Sequence, residues 1–172
     1  MKSTKLRVTS IWCAALLVLF CTLPVKSVNP EPDNKLKFAN GTIYDIKFLL
    51  KHAYYNNGNL LLKSEPTKTF DLDVPAFVGV RITFPHTEKF AGKSYNVVSD
   101  ERMESTQTDK PYLTLYSIVA GYFSNIKNNA PYDLKLQFYQ PTKGLLPGYI
   151  DLKIKDSNTT WIRGYFYAEP LK

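Results

Sequence analysis

The sequence predicts an all-β fold, a single antiparallel β-sandwich formed by residues 36–172. Three observations predict it. Apolar and polar residues alternate with a period of two through most of that stretch, the pattern of half-buried strands. Clusters of Asn, Gly, Pro and Asp recur at short spacing between the alternating runs. No run carries an apolar stripe at helical spacing. A chain of 172 residues, 44% of them hydrophobic, fits one domain with a core of its own.

The elements follow in order. Thr42 to Lys51 sets Tyr44, Ile46, Phe48 and Leu50 on one face against Asp45 and Lys47, and reads as one strand. Asn56-Asn57-Gly58-Asn59 is a turn, because Asn and Gly tolerate positive φ, and Leu60 to Lys63 returns as a second strand. Lys68 to Val74 alternates Phe70, Leu72 and Val74 against Asp71 and Asp73. Phe77 to Phe84 alternates Val78, Val80, Ile82 and Phe84, with Pro75 and Pro85 at its ends. Lys93 to Val98 is a short strand, and the polar stretch Asp100 to Lys110 is a loop.

Tyr112 to Phe123 is apolar on both faces and reads as a central strand or a long bent one, with Gly121 a candidate bulge. Tyr132 to Tyr139 alternates Tyr132, Leu134, Leu136 and Phe138 with Asp133, Lys135 and Gln137. Gly148 to Lys155 alternates Ile150, Leu152 and Ile154 with Asp151 and Lys153, and Trp161 to Tyr167 closes the domain. This makes about eight strands. A lipocalin-like β-barrel is the alternative arrangement, without that barrel's early Gly-x-Trp signature or late cysteine pair.

The start of the chain is an export signal. Lys2, Lys5 and Arg7 precede an apolar run from Ile11 to Leu23, which Pro24 ends. Val25 and Ser27 stand at the −3 and −1 positions of a cleavage site after Ser27. The run is short for a bilayer-spanning helix, so no stable membrane span is expected after cleavage. Residues 1–27 are thus the signal peptide, and residues 28–35 (VNPEPDNK) a flexible leader. Lys2, Lys5, Arg7 and Lys26 leave with the signal, and the formal charge falls from +7 to +3. That residue of charge implies no nucleic-acid partner. Cys13 and Cys21 leave too, which excludes disulfide-stapled scaffolds.

Few residues carry chemistry. Asn40-Gly41-Thr42 and Asn158-Thr159-Thr160 are glycosylation sequons, both read as lying in turns, so Asn40 and Asn158 are the expected glycan sites. Gly92-Lys93-Ser94 matches only the tail of a phosphate-binding loop and reads as a turn between strands. His52 and His86 lack metal-ligand spacing, so no metal and no cofactor is expected. Asp71 and Asp73 share a face, as the polar half of an alternating strand does. There is no Gly-x-Ser-x-Gly elbow, and no thiol remains after cleavage.

Tyrosine is abundant, with 12 in the chain. Trp161, Arg163, Tyr165 and Tyr167 fall on one face of the last strand and form the candidate binding patch. If that face is exposed, Arg163 can serve between the rings; if it is buried, Arg163 needs a carboxylate. The expected protein is a secreted, extracellular, N-glycosylated and non-catalytic β-domain that recognises a protein or a glycan. The alternatives are an extracellular carrier of a small apolar ligand and, more remotely, a carboxylate-dependent hydrolase.

Overall fold

The computed structural model describes residues 38–68, 75–85, 89–98, 110–119, 122–127, 129–155 and 160–171. The signal, the leader, Asp71, Asp73, His86, Gly121 and Asn158 lie outside the described residues. The described chain is all-β. Its strands are β1 (Asn40–Ile43), β2 (Ile46–Asn56), β3 (Asn59–Ser64), β4 (Thr67–Lys68), β5 (Pro75–Thr83) and β6 (Ser94–Val98). They continue as β7 (Tyr112–Val119), β8 (Tyr122–Lys127), β9 (Tyr132–Phe138), β10 (Leu146–Ile154) and β11 (Trp161–Pro170).

These strands join one sheet in the order β6-β9-β10-β11-β1-β2-β3-β5-β7-β8, with β4 on β5. The pairings between strands are antiparallel except for a short parallel contact where Glu169 and Pro170 meet Tyr54 and Tyr55. The sheet runs from β6 to β8 without closing, so the alternative barrel is not formed. A closed barrel needs its first and last strands to bond each other.

Two expected strands are in fact hairpins. Tyr44 and Asp45 adopt φ of 49° and 62°, and reverse the chain between β1 and β2. Positive φ at both central residues is the tight hairpin turn that Asn-Gly normally marks. Tyr-Asp gives no such signal, and Tyr44 happened to continue the alternation. The apolar run from Tyr112 likewise divides, since Val119 pairs with Tyr122 and β8 returns along β7. By contrast the β2–β3 turn falls where expected, with Gly58 at φ 84°.

Alternation decides which side chains go inward. Val78, Val80 and Ile82 of β5, Leu113 and Leu115 of β7, and Leu134, Leu136 and Phe138 of β9 are buried in one core. Ile150 and Leu152 of β10 and Ile162 and Phe166 of β11 join it. In β2 the register shifts between Leu50 and His52, so that Phe48 and then Ala53 are the buried residues. One extra residue in a strand swaps the faces beyond it. Gly41 is held by close approach: a Cβ there would stand 1.9 Å from the Trp161 carbonyl oxygen.

The core joins distant parts of the sheet through rings. Phe84, just after β5, lies 4.6 Å from the Tyr95 ring of β6 and 4.9 Å from Phe90. Phe90 stacks at 4.8 Å on Phe138. Buried polar groups find partners inside: the Val78 N–H donates to Ser64 Oγ at 3.0 Å, and the Tyr132 hydroxyl donates to the Pro111 carbonyl.

Burial pushes the Tyr132 hydroxyl up to about 12 and raises that of Tyr116 as well. An unfolded chain releases the Tyr132 proton near 10.0 and the folded chain near 12. The unfolded state therefore binds fewer protons in that window, and stability is full below it and falls as pH rises through it. Urea unfolding followed across that range should show the loss, and Tyr132→Phe should make it shallower. A midpoint that stays flat would contradict the burial of these hydroxyls.

Candidate functional site

Four alternate residues of β11 turn inward: Ile162, Gly164, Phe166 and Ala168 are all buried. Strand geometry then turns Trp161, Arg163, Tyr165 and Tyr167 outward together. Trp161 is 42% exposed. The four residues expected to share a face therefore do so, and that face is open.

The hairpin register brings β10 residues alongside. Asp151 stands opposite Arg163, and Tyr149 opposite Tyr165. Arg163 Nη2 lies 2.7 Å from Asp151 Oδ2, although the guanidinium is exposed. The hydrogen bond and charge of Asp151 hold Arg163 above its usual range. The Tyr149 and Tyr165 rings meet edge-on at 5.1 Å, and Tyr167 meets Phe38 edge-on at 6.3 Å. Phe38 is 61% exposed. Burial raises the Tyr139 hydroxyl above its ordinary range, and Tyr165 and Tyr149 beside it add to the effect. The patch is thus wider than the last strand alone. Tyr149 and Asp151 were recoverable from the sequence by aligning the two strands across their turn; Phe38 and Tyr139 were not.

Asn40 is the first residue of β1, not part of a turn, and its register partner on β11 is Arg163. Its Nδ2 donates to the Phe38 carbonyl at 3.1 Å. Just before β1, Phe38 makes an isolated parallel bridge to Tyr165, so pairing with β11 occupies the place of the expected turn. Thr42, the third sequon residue, stands opposite Trp161. Gly92 does sit in a turn, at φ 72°, and Ser94 opens strand β6 instead of a helix. His52 is exposed and stacks on Tyr54 at 5.9 Å. Among the described residues, no group of three or more His, Cys, Asp or Glu side chains converges as a metal site would require. No helix among them is long and apolar enough to cross a membrane.

A second surface feature went unread in the sequence. A groove of about 500 Å³ runs over the outward face of β2, β3, β5 and β7, reaching β8 at Phe123. Leu61, Phe77, Tyr116, Ile118 and Phe123 contribute apolar surface, and Lys51, His52, Lys63 and Arg81 stand around it. Each strand supplies one to three residues, so no local motif announces the groove. It lies on the surface, outside the core.

Comparisons with known protein families, with curated proteins and with solved structures find no match to this chain. The functional reading rests on these two faces.

An exposed ion pair adds little to folding, because solvent screens it and both side chains lose freedom to form it. Arg163→Ala should therefore leave the urea midpoint of unfolding unchanged. A large drop would make Arg163 a structural residue and remove it from the patch.

Proposed function

We propose that the protein is a secreted, N-glycosylated, non-catalytic β-sandwich domain that recognises a protein partner through the outer face of β10 and β11. The two halves of the folded-over sheet would form the two layers. One observation carries the reading: Trp161, Arg163, Tyr165 and Tyr167 face outward along a single strand, with Tyr149 alongside. Trp, Tyr and Arg are the residue types that concentrate binding energy at protein interfaces. Tyrosine and tryptophan offer large, stiff contact area and lose little side-chain entropy on binding. A rigid sheet presents them already aligned, which lowers the ordering cost of association.

A glycan is the second reading for the partner, supported by the edge-on ring pair Tyr149 and Tyr165, whose apolar faces and polar tips also suit a sugar. A carbohydrate chain on Asn40 itself would rise on the β1 flank of the patch, beside Arg163. The β10 flank, with Tyr149 and Asp151, would stay open to a partner.

Export is checked directly. The product recovered from the medium of expressing cells should begin at Val28, and Asn40→Gln should lower its mass by one glycan. Retention inside cells with residues 1–27 attached would sink the secreted reading.

Recognition is checked on arrays of extracellular proteins and of glycans, probed with wild type and with the Trp161→Ala, Tyr165→Ala double variant. A protein ligand should lose about thirtyfold in affinity for each anchor removed. A saccharide as the sole ligand moves the partner to the second reading. Unchanged binding by the double variant removes the patch as the contact.

A further inference from the structure

The groove on the other half of the sheet differs from the β11 patch in chemistry. Its outward residues come in rows across the strands. Phe77 of β5 pairs with Ile118 of β7, which pairs with Phe123 of β8. Two residues along β5, Gly79 leaves a gap that the Tyr116 ring fills: a Cβ on Gly79 would stand 2.1 Å from Tyr116 Cζ. The Tyr116 hydroxyl donates to the Leu62 carbonyl at 3.0 Å, which fixes the ring as a floor. Two residues further, Arg81 stands between Leu61 and Thr114.

One end of the groove is therefore apolar and the other cationic. Phe77 and Phe123 remain 39% and 64% exposed. Among the described residues, Lys51 is matched by Glu65 at 3.3 Å, while Lys63 and Arg81 have no carboxylate in an ion pair. Lys63 instead holds its ammonium 5.7 Å from the Tyr54 ring. Among the described residues, no Asp or Glu lines the groove. At about 3.3 Å per residue, the rows of Phe77 and Arg81 lie roughly 13 Å apart. A volume of about 500 Å³ is in the range that holds a small organic ligand.

We propose that this groove binds a single-chain amphiphile with an anionic head, a medium-to-long-chain carboxylate. Its tail lies over Phe77, Ile118 and Phe123, and its carboxylate sits between Lys63 and Arg81. The charge asymmetry selects this ligand: a neutral apolar molecule leaves both cations unmatched, and a cationic amphiphile meets them with repulsion. This site is independent of the β11 patch, which lies on different strands, so either can fail alone.

The test is calorimetric titration of the mature protein with dodecanoate below its micelle concentration, with dodecyltrimethylammonium as the same tail under the opposite charge. Dodecanoate should bind with one-to-one stoichiometry, and the cationic probe at least about tenfold more weakly. The Lys63→Glu, Arg81→Glu double variant should lose at least about tenfold for dodecanoate and narrow or reverse that preference. Both positions are exposed, and an unchanged circular dichroism spectrum confirms the fold. Thr114→Trp, on the same outward face, should abolish binding of both probes by filling the groove. The Trp161→Ala, Tyr165→Ala variant should bind dodecanoate as wild type does. No dodecanoate binding, equal binding by the charge-reversed variant, or binding only to anionic phospholipid vesicles would each overturn the proposal.

Discussion

Phe138 is the side chain on which the arrangement turns. Its ring meets Phe84, Phe90, Tyr95 and Phe166, which belong to separate stretches of the chain. Phe84 brings the end of β5 against rings of β6 and β9, although β5 and β9 are far apart in the strand order. The described residues contain no cysteine, so no cross-link supports this contact. Aromatic burial has to supply the cohesion, at about 0.5–1.5 kcal/mol per ring pair beyond the area each ring hides. Truncating a ring at such a hub typically costs about 3–5 kcal/mol, a large share of a domain's margin.

That core also decides what the surface displays. A strand that commits every second residue inward must present the others outward. Burial of Ile162, Gly164, Phe166 and Ala168 leaves Trp161, Arg163, Tyr165 and Tyr167 facing solvent. Burial of Val78, Val80 and Ile82 does the same for Phe77 and Arg81, while Gly79 between them is covered by the Tyr116 ring. The two faces proposed for binding are thus the reverse sides of one packing decision. They differ because β10 answers Arg163 with Asp151, whereas no acid among the described residues answers Arg81 on its own face. The first face is an aromatic surface whose cation is neutralised by Asp151. The second sets Lys63 and Arg81 beside exposed apolar rings.

Where the reading of the chain went astray, a backbone feature overrode a side-chain pattern. Tyr44 and Asp45 both take left-handed conformations, unusual for a tyrosine, and the alternation runs through them undisturbed. Asn40 joins the β1 ladder because Gly41 allows the Trp161 carbonyl to come close, an approach that depends on a residue far along the chain. Period two can assign a residue to a face, but a reversal with no Gly, Asn or Pro to mark it passes unseen.

What the amino-acid order specifies unaided is the all-β class, most of the face assignments, and that Trp161, Arg163, Tyr165 and Tyr167 share one face of the last strand. These follow from local backbone geometry, since neighbouring side chains of an extended chain must point to opposite sides. The open path of the sheet, Asp151 set against Arg163, and the groove built from five strands came only from folding. Each depends on which strands lie side by side and in what register, and that is settled by packing between residues the chain keeps far apart.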